Sequence, residues 1–256
     1  MTREPSFDVH TAAAIDSSDI LLVGLADIGA ANLTVVDYLV SHLETTQIGF
    51  IETSNVPSVT PIEGGVPRRP IRLYRVDDVP MTILVSEVFI PVTVADRFVG
   101  ALLEWAGGHD IDEICVVHGT PFPHAEAEHH VFYAATPSFR RSHWDDGESD
   151  QIDPLPGGVL DGVAGELLRD GLEARQPSVG VFVTPVHLPG PDLEAALRLL
   201  EGVETCYPIE VDERELRRQS DEMKRYYEEL TSRLTALKER QQSVDSRDFP
   251  EDRMYM

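Results

Sequence analysis

Lysine, cysteine and long apolar runs are all scarce in this chain, and each scarcity excludes something. Lys occurs only at Lys224 and Lys238, and 21 basic residues face 45 acidic ones, for a formal net charge of -24. A surface of that sign repels the phosphates of nucleic acid and of anionic lipid, so we expect neither as a partner. Acid-rich, Lys-poor surfaces suit molar salt, where excess charge is screened, and point to an archaeal, halophilic setting. The 2 cysteines, Cys115 and Cys206, are too few and too irregularly placed for a disulfide framework or a thiolate zinc site. They fit a reducing cytoplasm. No stretch approaches the ~20 apolar residues of a membrane span, and no basic segment followed by an apolar one opens the chain. The sequence therefore predicts a soluble, cytoplasmic protein.

Catalytic signatures are missing as well. There is no Gly-x-Ser-x-Gly elbow, no His-Glu-x-x-His, and no obvious pair of catalytic acids. Between Asp19 and Leu39 the spacing Gly24-x-x-x-x-Gly29 lacks the Lys-Ser/Thr of a P-loop and the third glycine of a dinucleotide fingerprint. We expect these glycines to let a helix pack closely on a strand, with no cofactor bound.

What is present is an alternation of strands and helices. Ile20 to Leu25 is an unbroken apolar run, too short for a buried helix and suited to a strand covered on both faces. Ile28, Ala31, Val35 and Leu39 follow at helical spacing. Ile48 to Thr53, Ile71 to Arg75, Thr82 to Glu87, Ile114 to His118, Val131 to Thr136 and Val179 to Thr184 read as further strands. Residues 1–18 read as a polar lead-in able to add an edge strand. Helices are predicted for Thr93 to Ala106, from Pro156–Gly165 through Arg175, and from Asp192, the N-cap, to Leu200. Asn55 to Pro70 and His143 to Asp153 read as surface loops. The pattern predicts an α/β protein of three layers, a mostly parallel or mixed sheet with helices on both faces.

This body is expected to span residues 1–209. Residues 210–242 form a long helix, since Asp212 to Gln241 contains no Gly or Pro. Leu216, Met223, Leu230 and Leu237 recur every seven residues there, with Tyr227 and Leu234 between them, but Glu213, Ser220 and Gln241 interrupt the seam. It suits docking better than a free-standing zipper. Residues 243–256 are read as a flexible tail ending in Met254, Tyr255 and Met256.

Three groups of polar residues invite a chemical role. His124, Glu126, Glu128, His129 and His130 crowd one loop, but without regular ligand spacing the expectation is a polar loop with no metal. His118 ends a strand and could act as a general base near Glu87 or Asp27, yet no nucleophile accompanies it in sequence. Arg68 and Arg69 form a local positive patch, read as a pair offsetting nearby acids. No catalytic residue is assigned.

Three motifs resemble the archaeal proteasome assembly chaperone family, related to proteasome assembly chaperone 2 of eukaryotes. They are Val-Gly-Leu-Ala-Asp-Ile-Gly-Ala-Ala-Asn from Val23, Gly-Gly-Val-Leu-Asp-Gly-Val-Ala-Gly-Glu-Leu-Leu from Gly157 to Leu168, and Val-Thr-Pro-Val-His-Leu-Pro-Gly-Pro-Asp-Leu-Glu-Ala-Ala-Leu from Val183 to Leu197. The first departs from the family pattern, with Ala26-Asp27 where Pro-Gly is usual. The resemblance implies a fold similar to nucleoside phosphorylases, homo-oligomers, no catalysis, and binding to the α subunits of the proteasome core particle. It leaves a phosphorylase-like or hydrolase enzyme as the alternative. Met254-Tyr255-Met256 looks like the hydrophobic-Tyr-X tail with which proteasome activators dock between α subunits. Gly162 and Gly165, three apart, are expected to share a helix face that packs closely on sheet or neighbour.

Overall fold

The computed structural model describes residues 4–11, 20–57, 59–124, 129–144, 152–173, 177–187 and 190–245, the last ten by their backbone alone. The chain divides into two compact units, residues 1–213 and 214–256.

The first unit is built on one mixed sheet. Its centre is four parallel strands, in spatial order β7 (Met81–Ser86), β2 (Ile20–Leu25), β8 (Glu113–Thr120) and β11 (Ser178–Pro185). These are the apolar runs of the sequence, and nearly all their residues are buried because helices cover both faces. Antiparallel strands flank the centre. On one side β6 (Ile71–Val76), β3 (Thr45–Ser54) and β1 (Ser6–Thr11) continue the sheet, so the N-terminal segment does supply an edge strand. On the other, β9 (Phe132–Ala135) runs antiparallel to β11, and the two-residue β10 (Asp153–Pro154) closes that edge. A small hairpin of β4 (Ile62–Glu63) and β5 (Val66–Pro67) interrupts the segment expected to be loop.

The two faces of β2 show how the layers form. Leu21 and Val23 point into a core shared with Phe98, Val99 and Leu102 of α2 (Ala95–Gly107) and with Ala164 and Leu167 of α4 (Gly162–Glu173). The opposite face belongs to α1 (Ala31–His42) and α5 (Leu193–Cys206). There Gly24 sits so close to α1 that a Cβ would overlap both Val36 methyls and approach the Asn32 carbonyl oxygen to 2.8 Å. The glycine is a packing device, as its sequence setting suggests. Asp192 caps α5, its Oδ1 accepting from the Ala195 N–H at 2.9 Å.

Several boundaries differ from those read in sequence. Ile28 lies outside α1 and is 50% exposed, because residues 27–30 form a turn closed by the Ala30 N–H on the Asp27 carbonyl at 3.0 Å. Gly29 and Ala30 take positive φ there, 81° and 51°, so the helix begins only at Ala31. A short 3₁₀ turn, Val92–Val94, replaces the first turn expected of α2. Helix α4 starts at Gly162, which has a φ of 59°, and α3 (Pro137–Trp144) ends within the expected acidic loop, at His143 and Trp144. Gly165 does not face the sheet: a Cβ there would strike the Leu160 carbonyl of the segment leading into its own helix. Gly171 makes the close approach instead, against Thr136 and Val179.

The second unit contains α6 (Arg214–Asp245), 32 residues or about 48 Å at 1.5 Å per residue. Its surface carries Arg218–Glu222 and Glu229–Arg233 ion pairs at i,i+4 spacing, with N···O separations of 2.9 and 3.3 Å. No described helix is long and apolar enough to cross a membrane.

Candidate functional site

The parallel strands end together, and loops leaving those ends gather most of the chemistry the sequence offers. His118, two residues from the end of β8, sets its Nδ1 3.8 Å from Oδ2 of Asp27 in the β2–α1 turn. Burial lowers the pKa of His118, while the negative charges of Asp27 and Asp161 oppose that shift. The imidazole is therefore held neutral near pH 7. Beside it, the Asn32 side-chain oxygen accepts from the Gly119 N–H, locking the start of α1 to the end of β8.

Glu87 belongs elsewhere. Its carboxylate receives Arg72, whose side chain is 2% exposed, through contacts of 3.3 and 3.4 Å, and Arg68 at 2.9 Å. Glu87 therefore neutralises a buried cation, and of the two acids considered for His118 in the sequence it is Asp27 that lies beside the imidazole. Arg68 also reaches Glu63 at 3.4 Å, while Arg69 pairs with Glu52 at 3.4 Å and lies 4.4 Å above the Phe50 ring. Both arginines offset nearby acids, as expected from the sequence.

Three histidines converge beyond the ends of β8 and β11. His124 Nε2 lies 2.8 Å from His129 Nε2 and 3.2 Å from His187 Nε2. His124 Nδ1 faces the Phe122 carbonyl at 2.6 Å, and His187 Nδ1 faces Asp192 Oδ2 at 2.9 Å. Burial alone would raise the Asp192 carboxyl, but the N–H groups of Ala195 and His187 and the His187 ring outweigh it and hold the acid below its ordinary range. His130 turns away, its Nε2 3.5 Å from Asp153 Oδ2, and Glu126 and Glu128 lie outside the described residues. His187 was not among the residues singled out in sequence. It joins His124 because β8 and β11 pair in parallel as far as Thr120 and Pro185, which places their following loops side by side.

A cleft of about 430 Å³ opens nearby, lined by His129, His130, Asp153, Arg198, Glu201 and Thr205. Arg198 is held inward by Thr184 Oγ1 at 2.9 Å and the Pro185 carbonyl at 2.8 Å. At the opposite end of β8, Glu113 accepts from the Tyr207 hydroxyl at 2.7 Å and lies 2.9 Å from His143 Nε2. Burial pushes the thiol of Cys115 well up and that of Cys206 up to about 12, so neither is a ready nucleophile. This cluster ties α3 and the end of α5 to β8. Met254, Tyr255 and Met256 lie outside the described residues.

Solved proteins of low identity share the fold. PbaB of Pyrococcus furiosus, an archaeal proteasome activator, superposes with a TM-score of 0.76 at 19% identity, over 88% of this chain and 99% of that one. PbaA of the same organism, an archaeal homolog of proteasome-assembly chaperone, gives 0.74 at 16%, over 94% and 100%. A protein of unknown function from Thermoplasma acidophilum gives 0.69 at 22%, over 88% and 90%. No curated protein sequence matches the chain. Residues 21–231 match the family model of the PAC2 family, and the chain belongs to that family.

Proposed function

We propose that this protein is a cytoplasmic, homo-oligomeric proteasome assembly chaperone or activator that binds the α subunits of the core particle and performs no catalysis. The observation that carries this reading is the family match over residues 21–231, together with a body folded like the proteasome activator PbaB. The family match supports this role for the body, and we assign the contact to the tail. Met254, Tyr255 and Met256 suit insertion into a pocket between neighbouring subunits. The Tyr ring fills an apolar slot, its hydroxyl finds a partner, and the carboxylate is captured by a Lys or by backbone donors. Met254 packs adaptably beside them. Several tails on one oligomer would bind together far more tightly than one.

An enzyme of the phosphorylase or hydrolase kind draws less support. Glu87 is committed to Arg68 and Arg72, and the 430 Å³ cleft is lined by neither His118 nor Asp27. The test is co-sedimentation with purified core particles in molar salt, which the acidic surface favours. Tyr255→Ala is expected to abolish co-sedimentation while leaving the melting temperature and oligomer size unchanged. Retention of full binding by that variant would overturn tail docking and move the contact to the α/β body.

A further inference from the structure

We propose that His124, His129 and His187 form a binding site for one divalent transition-metal ion of the zinc class. The argument begins with where the ring protons sit. A backbone carbonyl only accepts, so His124 Nδ1, 2.6 Å from the Phe122 oxygen, must carry a hydrogen and donate it. The same logic fixes His187, whose Nδ1 donates to the Asp192 carboxylate at 2.9 Å. In the neutral rings both Nε2 atoms are then left with lone pairs, and those two atoms face each other at 3.2 Å. Lone pairs so placed repel unless a proton or a metal ion lies between them.

The spacing suits a metal. Ligand nitrogens at 2.0–2.1 Å from a tetrahedral zinc ion lie about 3.3 Å apart, and the Nε2 separations here are 2.8 and 3.2 Å. All three candidate ligand atoms lie within 4.8 Å of one another. The surroundings match as well. A metal-bound imidazole ordinarily donates its other N–H to a carboxylate or carbonyl, which orients the ring and raises its basicity. Asp192 does this for His187 and Phe122 for His124. The Asp192 side chain is only 7% exposed and also accepts from the His187 backbone N–H at 2.8 Å, so it is fixed before any ion arrives. All-imidazole ligation favours zinc, cobalt, nickel or copper over calcium and magnesium, which prefer oxygen. A bound ion would clip the loop after β8 to the turn between β11 and α5.

The test uses the full chain, stripped of metal and titrated with Co²⁺ and Zn²⁺. The expected result is one equivalent bound, with the intense visible absorption of four-coordinate Co²⁺ and a rise in melting temperature. His187→Gln, at a half-exposed position, should abolish the absorption, and His129→Gln serves as the second variant should the first fail to fold. Asp192→Asn keeps an N-cap for α5 but loses the carboxylate behind His187, and should weaken Zn²⁺ binding 10–100-fold. His10→Gln, on strand β1, should bind like the parent. Failure of the parent to bind either ion overturns the proposal. So does Co²⁺ binding that survives in His187→Gln and His129→Gln alike, since the ion would then sit on other surface groups.

Discussion

The α/β body and helix α6 hold their structure by opposite means. In the body, strands are buried on both faces and helices approach so closely that single glycines are required; Gly24 beneath Val36 and Gly180 beneath the Phe139 ring leave no room for a Cβ. Helix α6 carries exposed large apolar residues, Tyr226, Leu230 and Leu234, and pairs such as Arg218–Glu222, Gln219–Glu215 and Arg233–Glu229 join i,i+4 neighbours on the helix itself. The body depends on fit, and α6 beyond its buried Leu216 and Ser220 on local propensity and pairing. Substitutions of similar chemistry should therefore have very different consequences in the two.

The largest effect is expected at Gly24. Valine there would force apart β2 and α1, against the stiff Val36 side chain and a backbone carbonyl, at a cost near the upper end of the overpacking range, about 3 kcal/mol. Urea denaturation should show a lower midpoint with an unchanged slope. A stable Gly24→Val variant would mean that α1 can shift away from the sheet without loss, and the contrast with α6 would fail.

A smaller and conditional effect belongs to His118. Burial lowers its pKa in the folded chain, so the unfolded chain binds the proton more readily. Stability from this group is therefore complete above its ordinary value near 6.5 and is lost as pH falls below that value, through the folded pKa. His118→Gln should lose less melting temperature than the parent between pH 7 and pH 5.5. Asp27→Asn removes a charge that favours the imidazolium and should make the acid loss larger. Parallel pH profiles for the parent and both variants would show that the neutral, buried imidazole contributes nothing to acid sensitivity.

The same contrast explains what was legible in the sequence. The central strands could be read because burial on both faces writes itself as a short apolar run, and α6 because thirty residues without Gly or Pro admit few other conformations. The start of α1 was misplaced because Ile28 falls on the helical period by coincidence, whereas the turn before Ala31 depends on positive φ at Gly29 and Ala30. Helix α3 escaped notice because Phe139 is its one buried residue, too little to write a period. The β4–β5 hairpin does carry a local signal, Gly64-Gly65 between Ile62 and Val66. The triple-histidine cluster was only half visible. His124 and His129 stand in one loop, but His187 joins them through parallel pairing of β8 with β11, a long-range register that no local pattern encodes.

The smallest effect should fall on α6 and bears most directly on the contrast. Arg233 pairs with Glu229 one turn before it, N···O 3.3 Å, with both side chains more than 70% exposed. Glu preceding its cation by four residues is the favourable order for the helix dipole, yet such pairs contribute only about 0.2–0.5 kcal/mol and are screened by salt. Arg233→Gln keeps a good helix former at the position and removes only the charge. The expected outcome is a slight loss of helical signal on heating in dilute buffer, and none in molar salt. Thermal unfolding followed by circular dichroism at the two ionic strengths measures both. A loss approaching that of Gly24→Val, or one that persists in molar salt, would show that Arg233 is held by more than its helical neighbour, and α6 would then have to be counted with the body among the parts that depend on fit.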